Sequence, residues 1–441
     1  MARNPQKIHA KLLTDLSELL EDRAFVRMYS IKKGAFSRER ILSFKIVSLL
    51  ILQLLKSSLK TELKTFYTTV FKQDEVVNWV SASALCQARQ KIKYNLFIDL
   101  YKLIARYFYR HFGGKRWFHF RLLAVDGSEI NLPSSKELLT RYGHHHSNSI
   151  GTKIPQARIS FLCDVKNYIT LDAQIESFKV GEQTMFEAHL QEIGKNDLLT
   201  GDANYGHFRI FKLIFLKEAD FCMRMSLCSN FVKDFLKSGE KDKVLIWHPS
   251  PKTKENCQKH GIDTMPIKIR LVRIDLSPGI TEVLALSLLD QQKYSYNNIK
   301  SLYDERWGVE EEIKKYLQRL MIEFFSSIKT NGILQDFYAN VFVLNLTGLM
   351  AEPVHDQIDR DSVALKRKHK HQINWASALG DVKRRTVLLF LRSFEKITMI
   401  IESIQESFRT TTETVRKGRQ FPRDKRKKGA RKKAFIQYKP I

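Results

Sequence analysis

Apolar residues recur at helical spacing through almost all of the first 115 positions. LLTDLSELLEDRAF and NLFIDLYKLIARYFYRHF repeat large apolar side chains every three or four residues, which predicts amphipathic helices. Ile46 to Leu55, the most apolar early run, is interrupted by Ser48 and Gln53 and is too short to span a bilayer, so it predicts a buried core helix. The pattern breaks at Gly113-Gly114. RLLAVDGSEINLP then reads as a short apolar run ending in Asp-Gly, and RISFLCDVKNYITLDAQIES as two strands joined at Lys166-Asn167. A helical stretch, TMFEAHLQEIG, and another apolar run, DLLTGDANYG, complete the signature of a mixed α/β domain.

The texture changes again near Phe208. After the helical FRIFKLIFLKE come short alternating runs, DFCMRMS, KVLIWHPS, PIKIRLVRID and TEVLALSLL, separated by prolines and charged turns, which predicts a mostly β segment. Helical periodicity returns at Asn298 and persists through QDFYANVFVLNLTGLMA and TVLLFLRSFEKITMIIESI. The expected organisation is a helical region over 1–115, an α/β core over 116–207, a β-rich insertion over 208–297, the rest of the core with C-terminal helices over 298–405, and a tail over 406–441. From Arg409 to Ile441 that tail end carries thirteen Lys/Arg against two Asp/Glu, too few apolar residues to fold alone, and suits a non-specific grip on phosphate.

Charge narrows the partner. The chain of 441 residues has a formal net charge of +27, with 43% hydrophobic and 27% charged residues, which fits a folded protein with a polyanionic partner. Nucleic acid suits the chain-wide spread of that charge, and an anionic membrane surface is the competing partner. The five cysteines form no CxxC pair, so neither a zinc site nor a disulfide framework is expected, and the first residues lack the apolar stretch of a secretory signal. The expectation is a soluble cytoplasmic protein with no membrane association.

Three acids stand out by context. Asp126 ends the apolar run Leu122 to Val125, and an acid at the end of a buried strand points into the crevice where α/β sheets place their ligands; a hairpin turn at Asp-Gly is the plainer reading. Asp202 repeats the arrangement after DLLTG. Two carboxylates at the ends of neighbouring strands repel, and divalent metal relieves that repulsion. In SLYDERWGVEEEIKKYLQRL, residues Tyr303, Arg306, Glu310 and Lys314 fall at spacings of three, four and four and form one helical stripe. Glu311 and Glu312 face elsewhere, so the register selects Glu310; an ordinary salt-bridged helix is the plainer reading here.

Together, AVDGSEINL, TGDANYG and YDERWGVEEEIKKYLQRLMIEFFSS resemble the DDE transposases of bacterial insertion sequences, in the large family typified by insertion sequence four. That family's third acid sits in a Tyr-x2-Arg-x3-Glu-x6-Lys signature, which Tyr303, Arg306 and Glu310 match. Leu317 stands where the lysine should be, with Lys314 one turn earlier and Lys315 beside it as substitutes. SASALCQARQKIKYNLF and EFFSSIKTNGILQDFYANVFVLNL resemble the flanking helices, so the likeness covers most of residues 80–350. It implies an RNase H-like mixed-sheet core holding two Mg²⁺ or Mn²⁺ ions, Asp126 bridging both and Asp202 and Glu310 each holding one. It further implies phosphate contacts from Tyr303, Arg306, Lys314 and Lys315, and a homodimer acting on double-stranded DNA at transposon inverted repeats and target. The implied reaction is cleavage at transposon ends and transfer of the 3′-OH into target DNA. A catalytically inactive repressor and an RNase H-like nuclease without strand transfer are the alternatives.

Other candidates carry less. Consecutive residues His144, His145 and His146 do not all converge on one ion and read as a loop near DNA. Glu129 and Asp164 are rival acids, Asp164 better suited to a hairpin turn. Trp247 and Trp307 read as core packing rather than base contacts.

Overall fold

The computed structural model describes residues 4–53, 56–71, 80–144, 153–277, 280–303 and 322–415. In chain order the helices are α1 (Pro5–Leu19), α2 (Arg23–Tyr29), α3 (Phe44–Leu52), α4 (Leu59–Phe71), α5 (Ala82–Arg89) and α6 (Asn95–Phe112). Strand β1 (Arg121–Asn131) precedes α7 (Lys136–Tyr142), then β2 (Gln156–Asp164), β3 (Ile169–Ser177), α8 (Glu182–His189), β4 (Asp197–Gly201) and α9 (Phe208–Phe215). Next come β5 (Asp220–Arg224), α10 (Asn230–Lys237), β6 (Asp242–Trp247), α11 (Pro251–Lys259), β7 (Ile267–Ser277) and β8 (Ile280–Leu286). Residues 296–303 are helical (α12). The chain ends in α13 (Thr330–Ala364), β9 (His371–Ile373), α14 (Trp375–Leu391), α15 (Phe394–Thr410) and β10 (Thr412–Thr414).

These elements form two compact units, Met1–His111 with Ile130–Ala157 and Tyr316–Ile441, and Phe112–Glu129 with Arg158–Lys315. In the first, helical unit, α13 is the centre. It is buried almost continuously from Gly332 to Ala351, as expected of a helix apolar on every side, and α1, α3, α14 and α15 pack around it. Asn4 caps α1 through a Lys7 N–H bond of 3.1 Å with Pro5 at the first helical position, and Asn374 caps α14. The stretch TVLLFLRSFEKITMIIESI is not one helix: Arg392 and Ser393 are extended and α15 starts at Phe394. Among the described residues, no helix is long and apolar enough to cross a membrane.

His9 on α1 is 0% exposed, and burial lowers its pKa to about 3. The unfolded chain takes up this proton near pH 6.5 and the folded chain only near 3, so acid favours unfolding between those values. Stability is complete above pH 6.5 and declines by about 1.4 kcal/mol per pH unit below it. Between pH 7 and 5 the His9 contribution is therefore a loss of about 2 kcal/mol. Chemical denaturation at both pH values should show a drop that His9→Leu reduces by about that amount; an unchanged drop in the variant would remove the assignment.

The second unit is built on an eight-stranded sheet in the order β3-β2-β1-β4-β5-β8-β7-β6. β1 runs parallel to β4 and β4 parallel to β5, while β8, β7 and β6 continue antiparallel. This is a mixed α/β fold. Alternate residues explain its two faces. Leu122, Ala124, Leu198, Cys222 and Leu286 share a core with Ile299, Leu302 and Tyr303 of α12. On β5 the neighbouring Phe221 instead stacks on Phe211 of α9, ring centroids 3.9 Å apart. Trp247 packs among Phe208, Phe211 and Phe231 at 5.4, 5.7 and 4.5 Å but stays half-buried, so it lies at the edge of the core and not inside it. Asp164 closes the β2–β3 turn, accepting from the Lys166 and Asn167 N–H groups at 3.1 and 3.2 Å and from Asn167 Nδ2 at 2.7 Å.

Candidate active site

Asp126 and Asp202 come together through strand register. The last Cα partners between β1 and β4 are Ala124 and Thr200, and each aspartate lies two residues further along its own strand's direction. Parallel neighbours are about 4.8 Å apart, so the register brings the two acids to the same level of the sheet, just past the carboxyl end of the paired segments. Asp126 is not at a hairpin turn: β1 continues to Asn131, and only its partner β4, five residues long, stops at Gly201. Asp202 does lie in a turn. Its Oδ1 accepts from the Asn204 N–H at 2.9 Å, and its carbonyl accepts from the Tyr205 N–H at 3.1 Å.

The rest of TGDANYG has physical reasons. A Cβ at Gly201 would lie 3.0 Å from the Met223 sulfur and 3.1 Å from the Tyr205 ring, so the strand end is filled to contact. At Gly206 a Cβ would lie 2.5 Å from the Arg224 carbonyl oxygen, which no side chain tolerates without moving backbone. Tyr205 is 1% exposed, and its hydroxyl meets no hydrogen-bond partner among the described residues. Burial, then the charges of Glu182, Asp126 and Asp202, hold that hydroxyl protonated well above the ordinary tyrosine range; the neighbouring Ser160 hydroxyl opposes this to a smaller extent. Three carboxylates thus bear on one buried phenol.

Glu182, the first residue of α8, is the acid sequence reading missed. Its Oε2 accepts from Asn204 Nδ2 at 3.0 Å. Nothing local marks it, because its place beside TGDANYG is set by the fold and not by spacing. Beneath the site, His189 joins Asp172 Oδ2 at 2.7 Å to Ser160 Oγ at 2.9 Å. All three are enclosed or nearly so, which makes this chain of bonds a brace and not a nucleophile open to substrate.

Tyr303 is 2% exposed, within the sheet core, and its hydroxyl donates to Glu282, which also takes Arg224 Nη1 at 3.1 Å. Glu310, Arg306, Lys314 and Lys315 lie outside the described residues, as do Leu317, Trp307, His145 and His146. Among the described residues no set of three His, Cys, Asp or Glu side chains is arranged to hold a metal ion. Asp126 and Asp202 nonetheless fit a divalent cation chemically. They are hard oxygen donors placed side by side, with mutual repulsion that a cation would relieve.

Residues 117–346, just over half of the chain, match the family model of the transposase DDE domain. No curated protein matches the sequence. Among solved structures, the cryo-EM structure of the piggyBac transposase synaptic complex with hairpin DNA is similar at 11% identity and a TM-score of 0.39, covering 92% of this chain and 79% of that one.

Proposed function

Because the chain belongs to the family of transposases with a DDE domain, we propose that it cleaves DNA at the ends of a mobile element and joins the freed 3′-OH to target DNA. The observation that supports this reading is the parallel register of β1 with β4, in which Asp126 and Asp202 each follow two residues after the last partners, Ala124 and Thr200. Glu310, in register with Tyr303 and Arg306, is the proposed third acid. These three residues would hold two Mg²⁺ or Mn²⁺ ions, which when bound supply Lewis-acid stabilisation of the attacked phosphodiester and its leaving oxygen. Arg306, Lys314 and Lys315 are proposed to orient the flanking phosphates by charge-assisted hydrogen bonds. Tyr303 joins them only by exchanging Glu282 for a phosphate oxygen.

The proposed partner is double-stranded DNA, held by a homodimer because two ends must be brought together. The net charge of +27 supports it, as does a groove of about 760 Å³ in the helical unit lined by Lys32, Lys33, Arg38, Arg40 and Lys91. A cytoplasmic, nucleoid-associated location follows from that partner.

The test uses the full chain, Mn²⁺, duplexes made from the DNA on either side of the gene, and a supercoiled target plasmid. A joined product that EDTA abolishes is expected. Cleavage without joining would favour a nuclease, and DNA binding without either a repressor.

A further inference from the structure

Glu182 touches both the loop that carries Asp202 and the strand that carries Asp126. We propose that Glu182 is a positioning residue that fixes the loop carrying Asp202 against the strand carrying Asp126, a role that rests on the two aspartates forming the reactive centre.

Its contacts run both ways. Towards Asp202, Glu182 Oε2 holds Asn204 Nδ2 at 3.0 Å, and the Asn204 backbone N–H in turn holds Asp202 Oδ1 at 2.9 Å. The next residue of α8 adds a second hold, Gln183 Nε2 donating to the Asn204 carbonyl at 3.3 Å. Towards Asp126, the Glu182 side chain lies over Gly127. A Cβ at Gly127 would be 3.2 Å from Glu182 Cγ and 3.3 Å from its Cδ and Oε1, closer than most side chains pack. Glycine after Asp126 therefore serves the close approach of Glu182, and not the turn that Asp-Gly suggests. The arrangement is a brace and not a cage, since no three acids among the described residues are set to hold a cation.

Glu182→Gln keeps an amide oxygen for Asn204 Nδ2 and the same stem over Gly127, and removes only the charge. Glu182→Ala removes the brace. Partners of metal-binding side chains typically contribute 10- to 100-fold in metal affinity. Calorimetric titration of the full chain with Mn²⁺ should therefore show the Kd raised about tenfold by Glu182→Ala, and restored to within about threefold of wild type by Glu182→Gln. Asn204→Ala should weaken Mn²⁺ to the same degree, and the double variant Glu182→Ala/Asn204→Ala no further, because both act through one contact. The half-saturating Mn²⁺ concentration for DNA cleavage should move in parallel, with the rate at saturating Mn²⁺ recovering. Unchanged affinity in Glu182→Ala, equal weakening in Glu182→Gln, or additive weakening in the double variant would each overturn the proposal. Should Glu182→Ala fail to fold, Asn204→Ala and Glu182→Gln still decide it. Wild-type protein that binds no Mn²⁺, or Asp126→Asn that binds it as tightly as wild type, would instead overturn the metal-site reading beneath it.

Discussion

Replacing Asp126 with asparagine should lower metal-dependent cleavage of element-end DNA by about 10³-fold or more while leaving DNA binding and Tm near wild type. Asparagine has almost the same shape, so β1 and its pairing with β4 are kept. What is lost is the negative charge and one oxygen donor. Lewis-acid stabilisation is worth several kcal/mol at the transition state, and each ~1.4 kcal/mol is a factor of ten in rate. DNA affinity comes from lysines and arginines elsewhere, so the gel-shift constant and its dependence on salt should hold. Asp202→Asn should give the same loss, since its amide oxygen still accepts from the Asn204 N–H. Single-turnover cleavage with saturating Mn²⁺ separates the cases: equal rates for wild type and Asp126→Asn would remove the assigned site. A loss of DNA binding along with cleavage would point to a folding defect in its place.

Periodicity made the strands and most helices legible, because burial on one face or both writes a period of two or 3.6 into the sequence. The alternating runs after Phe208 became β5 to β8, and the apolar run at Ile46 became the buried α3. A boundary without a strong breaker was harder to see. The apolar pattern continues across Arg392-Ser393, where only backbone conformation divides α14 from α15. The aspartates were legible because each follows an apolar run, yet their pairing depends on β1 and β4 being neighbours, which local sequence does not encode. Glu182 and Tyr205 show the same limit from the other side. Each is ordinary in its own stretch and acquires meaning only where α8, β1 and the loop after β4 meet. The Asp-Gly pair misled in a similar way, since its glycine answers a side chain more than fifty residues away.

Replacing Arg89 with alanine should destabilise the protein by about 3–5 kcal/mol, the usual consequence of leaving a buried charge without its partner. Arg89 on α5 is enclosed, and it donates to Gln335 Oε1 at 3.0 Å, to the Gly332 carbonyl at 3.1 Å and to Asp336 Oδ1 at 2.9 Å. Burial pushes the Asp336 carboxyl up, but the Arg89 charge and the Ser326 N–H and hydroxyl outweigh it and leave it below the usual aspartate range. Asp336 is therefore ionised through the physiological range, and its contribution is lost only as pH falls through the ordinary carboxylate range and below. Without Arg89 that charge is stranded, and the Gly332 carbonyl and Gln335 oxygen lose donors in the same step. At about 2–4 °C per kcal/mol for a unit of this size, Tm should fall by roughly 6–20 °C. The network joins α5 to the start of α13, the two segments whose sequences resemble transposase helices on either side of the proposed Glu310. A pair of substitutions that removes both charges, Arg89→Met with Asp336→Leu, should fold better than Arg89→Ala alone, because no buried charge is left unmatched. Calorimetric melts of the three proteins decide the matter: a Tm for Arg89→Ala within about 2 °C of wild type would mean that the pair contributes little to the helical unit.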